Sequence, residues 1–377
     1  MNSPSAFSSK ANTAGWGLAL WLGLGLSLWG AGDSPDLPPP LKADEVVRLQ
    51  PTAAHLATNA EGAIFWEAPL TVHVFEPEPR ELMVGLFLRT LGITEEAYSP
   101  EQRRLAAERA RGFLVDHQRG KKVRLLLAGQ KADLGPTSSE GLATAWIRWP
   151  VGNQETVVLP VMVDTNFTAG RSFTGMVHLV NARGWTVISD IDDTIRDSQV
   201  LDRHALMQNT FCKPFVPVPG MAALYRQWQT DLGCVFFYVS GSSWALYDPL
   251  RDFVRANQFP EGVFELRRVY GDTSALQLLR TPQNYKLNTI STILERWPHR
   301  RYILVGDTGE RDPEVYGLLA RQYPAQVRYI FLRDVTNQPR EHERYRKALE
   351  GVPPQRWFLF KDPAALPHPK TLAETDP

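Results

Sequence analysis

The chain has 377 residues, enough for two ordinary domains with substantial cores. Charged residues make up 22% and apolar ones 43%, a balance that excludes both a disordered chain and an integral membrane bundle. Lysine plus arginine equals aspartate plus glutamate at 41 each, so no global field draws in nucleic acid and any preference for anions has to be local.

From Gly15 to Ala31 no residue is charged, with Lys10 and the amino terminus before the run and Asp33 and Asp36 after it. That polarity predicts an N-terminus kept in the cytoplasm and an exported remainder, the run serving either as a signal peptide or as a membrane anchor. The expected localisation is extracytoplasmic, beside a membrane surface. Pro38-Pro39-Pro40 then reads as a stiff extended spacer, which sets residues 1–41 apart from the folded chain.

Residues 42–183 read as a β-rich, sandwich-like domain. Leu70 to Phe75, Val123 to Leu127, Ala145 to Trp149 and Thr156 to Val163 are short, apolar or alternating, and separated by turn-forming residues. One helical insertion is predicted, because Ser99-Pro100-Glu101-Gln102 combines an N-cap serine, a proline at the first helical position and a capping-box glutamine. Leu105, Ala106, Ala110, Phe113 and Leu114 give that helix a thin apolar face. His73 is expected as a half-buried strand residue.

Residues 184–351 change rhythm to strand, helix, strand. Strands are predicted at Thr186 to Asp192, Gly233 to Val239, Arg301 to Val305 and Val327 to Leu332. Helical spacing appears at Met221 to Trp228, Trp244 to Ala256, Ile290 to Trp297 and Val315 to Leu319. The expected fold class is α/β, with a mostly parallel sheet carrying helices on both faces. Residues 352–377 read as an edge segment followed by a tail. Cys212 and Cys234 carry no metal-type spacing, and Cys234 lies in an apolar run that suits a core thiol.

The chemistry collects where the first three strands of this second part end. The first ends in Ser189-Asp190-Ile191-Asp192-Asp193-Thr194, the second in Ser240-Gly241-Ser242-Ser243, and the third in Gly306-Asp307-Thr308-Gly309-Glu310-Arg311-Asp312. On a continuing strand Asp190 and Asp192 would share a face, and like charges that close call for a cation. With Lys286 the three ends supply a carboxylate nucleophile, a neighbouring acid, hydroxyls and amides for phosphate oxygens, and carboxylates for a metal. Asp193 is expected to be a structural acceptor at the strand end, and Trp244 either helix core or a wall of the site. No P-loop motif is present.

Taken in order, Ile188 to Ile195, Phe237 to Trp244, Lys286 with Ile290 and Ile293, and Leu304 to Tyr316 resemble the haloacid dehalogenase superfamily. Within it they are similar to the catalytic domain of the actin-patch-protein-associated phosphatidate phosphatase family, over about Trp185 to Val335. The resemblance implies a Rossmann-like haloacid dehalogenase domain that hydrolyses phosphatidate to diacylglycerol through an aspartyl-phosphate. It implies Asp190 as nucleophile, Asp192 as acid and then base, and Lys286 as neutraliser of the aspartyl-phosphate. Thr194, Ser240, Gly241 and Lys286 would hold phosphate oxygens. Magnesium (Mg2+) would be held by Asp190, the backbone carbonyl of Asp192 and Asp307, with Asp312 as a further metal or metal-water ligand. Two departures stand out: Tyr285 occupies a place where histidine is frequent, and Ser243 one where proline often precedes the tryptophan. Arg267-Arg268 lies between Ser240 and Lys286, where a cap would be inserted and could meet anionic headgroups. A soluble phosphate ester is the alternative substrate. A phosphorylation-regulated or phosphate-binding interaction module is the alternative of another class, and it has no use for Asp192.

Overall fold

The computed structural model describes residues 41–375, apart from 78–79, 95–97, 153–156 and 269–283. The apolar run at 15–31 and the spacer at 38–40 lie outside the described residues. Among the described residues no helix is long and apolar enough to cross a membrane.

The first part is built on one nine-stranded mixed sheet. Its strands are β1 (Val46–Leu49), β2 (Thr52–Thr58), β3 (Ile64–Pro77), β4 (Val115–His117), β5 (Val123–Leu127), β6 (Gln130–Leu134), β7 (Leu142–Pro150), β8 (Val158–Val163) and β9 (Thr174–Leu179). Their order is β1-β3-β2-β9-β8-β5-β6, with β4 and β7 also paired to β3. The long β3 joins β1, β2, β4 and β7 antiparallel, while β2 links to the other half through a parallel pairing with β9. Val72 and Val74 from β3, Leu125 and Leu127 from β5, and Val177 from β9 meet in a single core. The expected sandwich is thus one continuous sheet whose two halves share a core.

The helical insertion holds two helices rather than one. The predicted capping box is present at α2 (Pro100–Arg111), where the Ser99 hydroxyl accepts from Gln102 N and the Gln102 side chain accepts from Ser99 N. Before it comes α1 (Glu81–Thr90), which sequence reading leaves out. Val84 and Leu88 bury its inner face, yet Leu82 and Leu86 on its outer face are 83% and 55% exposed. A helix apolar on both faces shows no amphipathic period to detect.

The second part is a six-stranded, all-parallel sheet of β10 (Trp185–Ser189), β11 (Val235–Ser243), β12 (Gly262–Arg267), β13 (Arg301–Asp307), β14 (Val327–Arg333) and β15 (Trp357–Phe360). The order is β12-β11-β10-β13-β14-β15, so it reverses at β10. Ligands in open α/β sheets bind outside the carboxyl ends of the strands at such a reversal. After a short α3 (Arg203–Met207), α4 (Met221–Leu232) and α5 (Tyr247–Ala256) cover one face; α6 (Tyr285–Arg296), α7 (Asp312–Gln322) and α8 (Glu343–Ala348) cover the other. Strand residues alternate between them, Val187 and Phe236 packing with Tyr225 and Trp228, Ile188 and Phe237 with Ile290 and Ile293. Burial on both faces explains why these strands read as unbroken apolar runs.

Four sequence expectations change here. The first strand stops at Ser189 instead of Asp192, and the second runs on to Ser243 instead of ending at Val239. Gly262–Arg267 forms an edge strand that was not foreseen. The edge segment expected at the chain end is present as Trp357–Phe360, which pairs with β14, and in place of a loose tail α9 (Pro369–Thr375) follows. The two sheets are joined by Arg48 Nη2 to Asp248 Oδ2 at 2.7 Å and by Trp297 Nε1 donating to Val180 O at 3.1 Å. Both cysteines are free and buried, and burial pushes the Cys234 thiol up to about 12.

Candidate active site

Asp190 is the first residue past the strand, yet its amide still donates to Val305 O at 2.8 Å, which fixes it between β10 and β13. The chain then turns sharply. The amides of Ile195 and Arg196 both donate to Ile191 O at 3.0 Å, and Asp193 takes a left-handed φ of 54°. This turn sends Asp190 and Asp192 into different surroundings, so they do not form the crowded pair that a continuing strand would give.

The Asp190 carboxylate, fully buried, faces Lys286. Lys286 Nζ lies 2.8 Å from Asp190 Oδ1, 2.9 Å from Glu310 Oε2 and 2.6 Å from Asp312 Oδ1. Thr194 Oγ1 donates to Asp190 Oδ2 at 3.2 Å. Burial raises the Asp190 carboxyl well above the usual range; Lys286 opposes this, and Asp312, Glu310 and Asp307 add to it. For Lys286 burial works against the charge, but attraction to Asp190, Asp312 and Glu310 outweighs it and raises the ammonium well above its ordinary value. The lysine therefore stays charged.

The Asp192 carboxylate sits in a separate cage. Its Oδ1 accepts from Arg196 Nε at 3.0 Å and Ser198 Oγ at 2.6 Å, and its Oδ2 from Ser242 Oγ at 2.8 Å and Ser240 Oγ at 3.3 Å. Burial alone would raise this carboxyl; Arg196 and the hydroxyls of Ser198 and Ser242 outweigh burial and hold it below the usual range. Arg196 is itself held from outside the sheet. Its guanidinium lies 4.3 Å from the Phe215 ring centroid, and the Arg109 guanidinium from α2 lies 3.9 Å from the same ring. Arg109 Nη1 also donates to Thr210 O at 2.7 Å, so the helical insertion reaches the Asp192 cage through one aromatic ring. Asp193 is the scaffold that the sequence suggested: its carboxylate accepts from the amides of Ser198, Gln199 and Val200 at 2.7, 2.8 and 2.7 Å.

The third loop closes the site. Asp307 Oδ1 accepts from Gly309 N at 2.5 Å and Glu310 N at 3.0 Å, and Asp312 Oδ2 accepts from Asp307 N at 3.2 Å. Arg344 ties the loop down, its Nε donating to Glu314 Oε1 at 2.7 Å while Nη1 and Nη2 donate to Thr308 O and Glu310 O. Asp307 Oδ2 is buried without a hydrogen-bond partner. Oxygens of Asp190, Asp307 and Glu310 lie within 4.8 Å of one another. Three hard carboxylate donors converging around an orphaned buried oxygen fit a small divalent cation.

Of the residues singled out from sequence, Asp190, Lys286, Asp307 and Asp312 meet in one cluster, and Asp192 and Ser240 in the adjoining cage. Thr194 reaches the first cluster, and Gly241 lies between the two serines on the end of β11. Asp312 is engaged by Lys286 and by the loop's own amide, and the oxygen cluster holds Glu310 in its stead. Sequence reading missed Glu310, Ser242, Arg196 and Arg344. Glu310 and Ser242 lay inside the quoted motifs and could have been found from turn and strand spacing. Arg344, far along the chain on α8, carries no local signal.

Comparison with known proteins follows this geometry. Residues 185–334 match the family described as "Phosphatidate phosphatase APP1, catalytic domain". The chain is 34% identical over 161 residues to "Phosphatidate phosphatase APP1" of Saccharomyces cerevisiae, covering 42% of this chain and 27% of that protein. It is 28% identical over 170 residues to an uncharacterized protein of Schizosaccharomyces pombe, covering 44% of this chain and 27% of that one. The match thus spans 27% of the length of each relative. A chain of a solved structure titled "Structure of Pnkp1/Rnl/Hen1 complex" is 15% identical with a TM-score of 0.29, over 38% of this chain and 43% of that one.

Proposed function

We propose, from the match of residues 185–334 to the APP1 catalytic-domain family, that this protein is a magnesium-dependent phosphatidate phosphatase of haloacid dehalogenase type. Phosphatidate would be converted to diacylglycerol and phosphate. The observation that carries this reading is the Asp190 carboxylate, held by Lys286 on one side and by Thr194 on the other, at the edge of an acidic cluster. Asp190 attacks phosphorus and the phosphorus–alkoxide bond breaks. The departing oxygen receives its proton through Asp192, which takes one up from solvent beforehand because Arg196 and its hydroxyl partners hold it ionised at rest, and the phosphoryl group rests on Asp190. Asp192 then takes a proton from the water that attacks the aspartyl-phosphate, which restores Asp190 and frees phosphate. Lys286 balances charge on the phosphorylated carboxylate, and the hydroxyls of Thr194 and Ser240 with the amide of Gly241 orient phosphate oxygens. Asp190, Asp307, Glu310 and the Asp192 carbonyl would hold the cation, with Asp312 as a further candidate; when bound it supplies positive charge for the phosphate oxygens.

The apolar run at 15–31 supports an enzyme held at an extracytoplasmic membrane face, which N-terminal mass spectrometry and fractionation of the native protein would test. Activity is tested on phosphatidate micelles against a panel of soluble phosphate esters. Asp190→Asn should abolish phosphate release and chelation should stop it reversibly; turnover retained by the variant removes the nucleophile assignment. Release from soluble esters alone would replace the lipid substrate with a soluble phosphate ester.

A further inference from the structure

A cavity of about 910 Å³ lies between the β-rich sheet and the parallel sheet, and the mechanism above makes no use of it. One wall is α6, which contributes Tyr285, Thr289, Thr292 and Arg296. These positions recur at helical spacing, so the groove follows the helix for about 16 Å. Its lining includes Tyr285, next in sequence to the Lys286 that touches Asp190, and Trp244, which follows Ser240 and Ser242 along the chain. The opposite wall is the stretch Gln50–Ala53 of the β-rich part, tied to the rim by Arg268 Nη2 donating to Gln50 Oε1 at 2.9 Å. Sequence features that the site left unused, namely Tyr285, Trp244 and Arg267-Arg268, therefore meet in one place.

The lining defines the ligand. Phe237, Ile293 and Trp297 contribute apolar surface, while hydroxyls and guanidiniums supply hydrogen-bond donors. Three arginines face the cavity, but Glu140 and Glu265 face it as well, and this mixed charge disfavours a polyanion. What suits such a groove is a neutral group, apolar in part, that offers acceptors to the hydroxyls and guanidiniums. Resting on the phosphatase reading, we propose that this groove seats the alcohol portion of the substrate behind its phosphate, binding the glycerol backbone and ester carbonyls of phosphatidate. The β-rich part then has a role in substrate selection, since Gln50–Ala53 forms one wall of the groove.

The test compares kcat/KM for dioctanoyl phosphatidate and for p-nitrophenyl phosphate in the full chain with magnesium. Thr289→Trp, which fills the groove from its helical wall, should lower the ratio of the two values at least ~10-fold, as should loss of a donor in Arg268→Met, both effects expressed in the lipid value. A ratio that stays at the wild-type value in both variants, or a parallel loss on both substrates, overturns the groove assignment. If Thr289→Trp fails to fold by circular dichroism, the ratio in Arg268→Met decides. A wild type that cleaves p-nitrophenyl phosphate but not the lipid refutes the lipid reading and the glyceryl ligand together. A wild type active on both with indifferent variants refutes the groove alone.

Discussion

Gly306→Ala tests whether the Lys286 cluster needs its observed geometry, without altering any group assigned to the chemistry. A Cβ at position 306 would lie 2.7 Å from Asp312 Cγ and 2.8 Å from Asp312 Cβ, and closer still to Oδ2. Ordinary carbon contacts are ~3.5–4.0 Å, so the carboxylate must recede on the order of 1 Å. It cannot do so freely, because Oδ1 accepts from Lys286 Nζ at 2.6 Å and Oδ2 from Asp307 N at 3.2 Å. Overpacking a well-filled core costs about 1–3 kcal/mol, and a buried ion pair that loses one partner about 3–5, so partial displacement puts the loss at about 2–4 kcal/mol. Lys286 follows Asp312 and leaves Asp190, and a misplacement near 1 Å can cost about 100-fold in turnover. Gly317→Ala is the control, since its Cβ would lie 2.8 Å from the Ala348 carbonyl carbon, between α7 and α8 and outside the Lys286 cluster. Urea denaturation with phosphate-release kinetics on folded protein separates the two variants. Both should lose stability, and only Gly306→Ala should lose kcat. If kcat per folded molecule is the same in both, the coupling of Asp312 to Asp190 through Lys286 is wrong.

Other outcomes follow from the same contacts. Magnesium at one hundred times its dissociation constant should stabilise the wild type by about 2.7 kcal/mol, and Asp307→Asn should reduce that gain, as thermal unfolding with and without the ion would show. Arg196→Met should lower kcat by misplacing Asp192, with partial recovery in Arg196→Lys, because an ammonium restores charge without the forked geometry; equal rates in both variants would leave Arg196 a bystander. Acid should also weaken the fold through two histidines. Burial lowers His178 to about 4, and burial with the neighbouring charges of His117 and Arg48 lowers His73 to about 3, both from an ordinary value of 6.5. The neutral forms are favoured in the folded state, so this stability is present above pH 6.5 and is lost as pH falls toward these values. The slope per group is at most about 1.4 kcal/mol per pH unit, and His178→Gln should flatten the stability curve between pH 6.5 and 4.5.

Sequence alone located the candidate site. Apolar runs that stop at Asp190, Ser240 and Asp307 locate the carboxyl edge of the sheet, because strands buried on both faces are apolar along most of their length. The capping box at Ser99 was equally legible, since it depends on contacts within four residues. Tertiary structure decided how the carboxylates divide. The turn after Ser189 parts Asp190 from Asp192, and the partners that give each its character come from elsewhere in the chain: Lys286 from α6 for the first, and Ser240 and Ser242 from β11 for the second. Arg109, Phe215 and Arg344 act across long sequence separations and leave no local pattern to read. The groove beside α6 exists only because Gln50–Ala53 is brought against that helix, and surfaces of that kind are made by packing rather than by any stretch of residues.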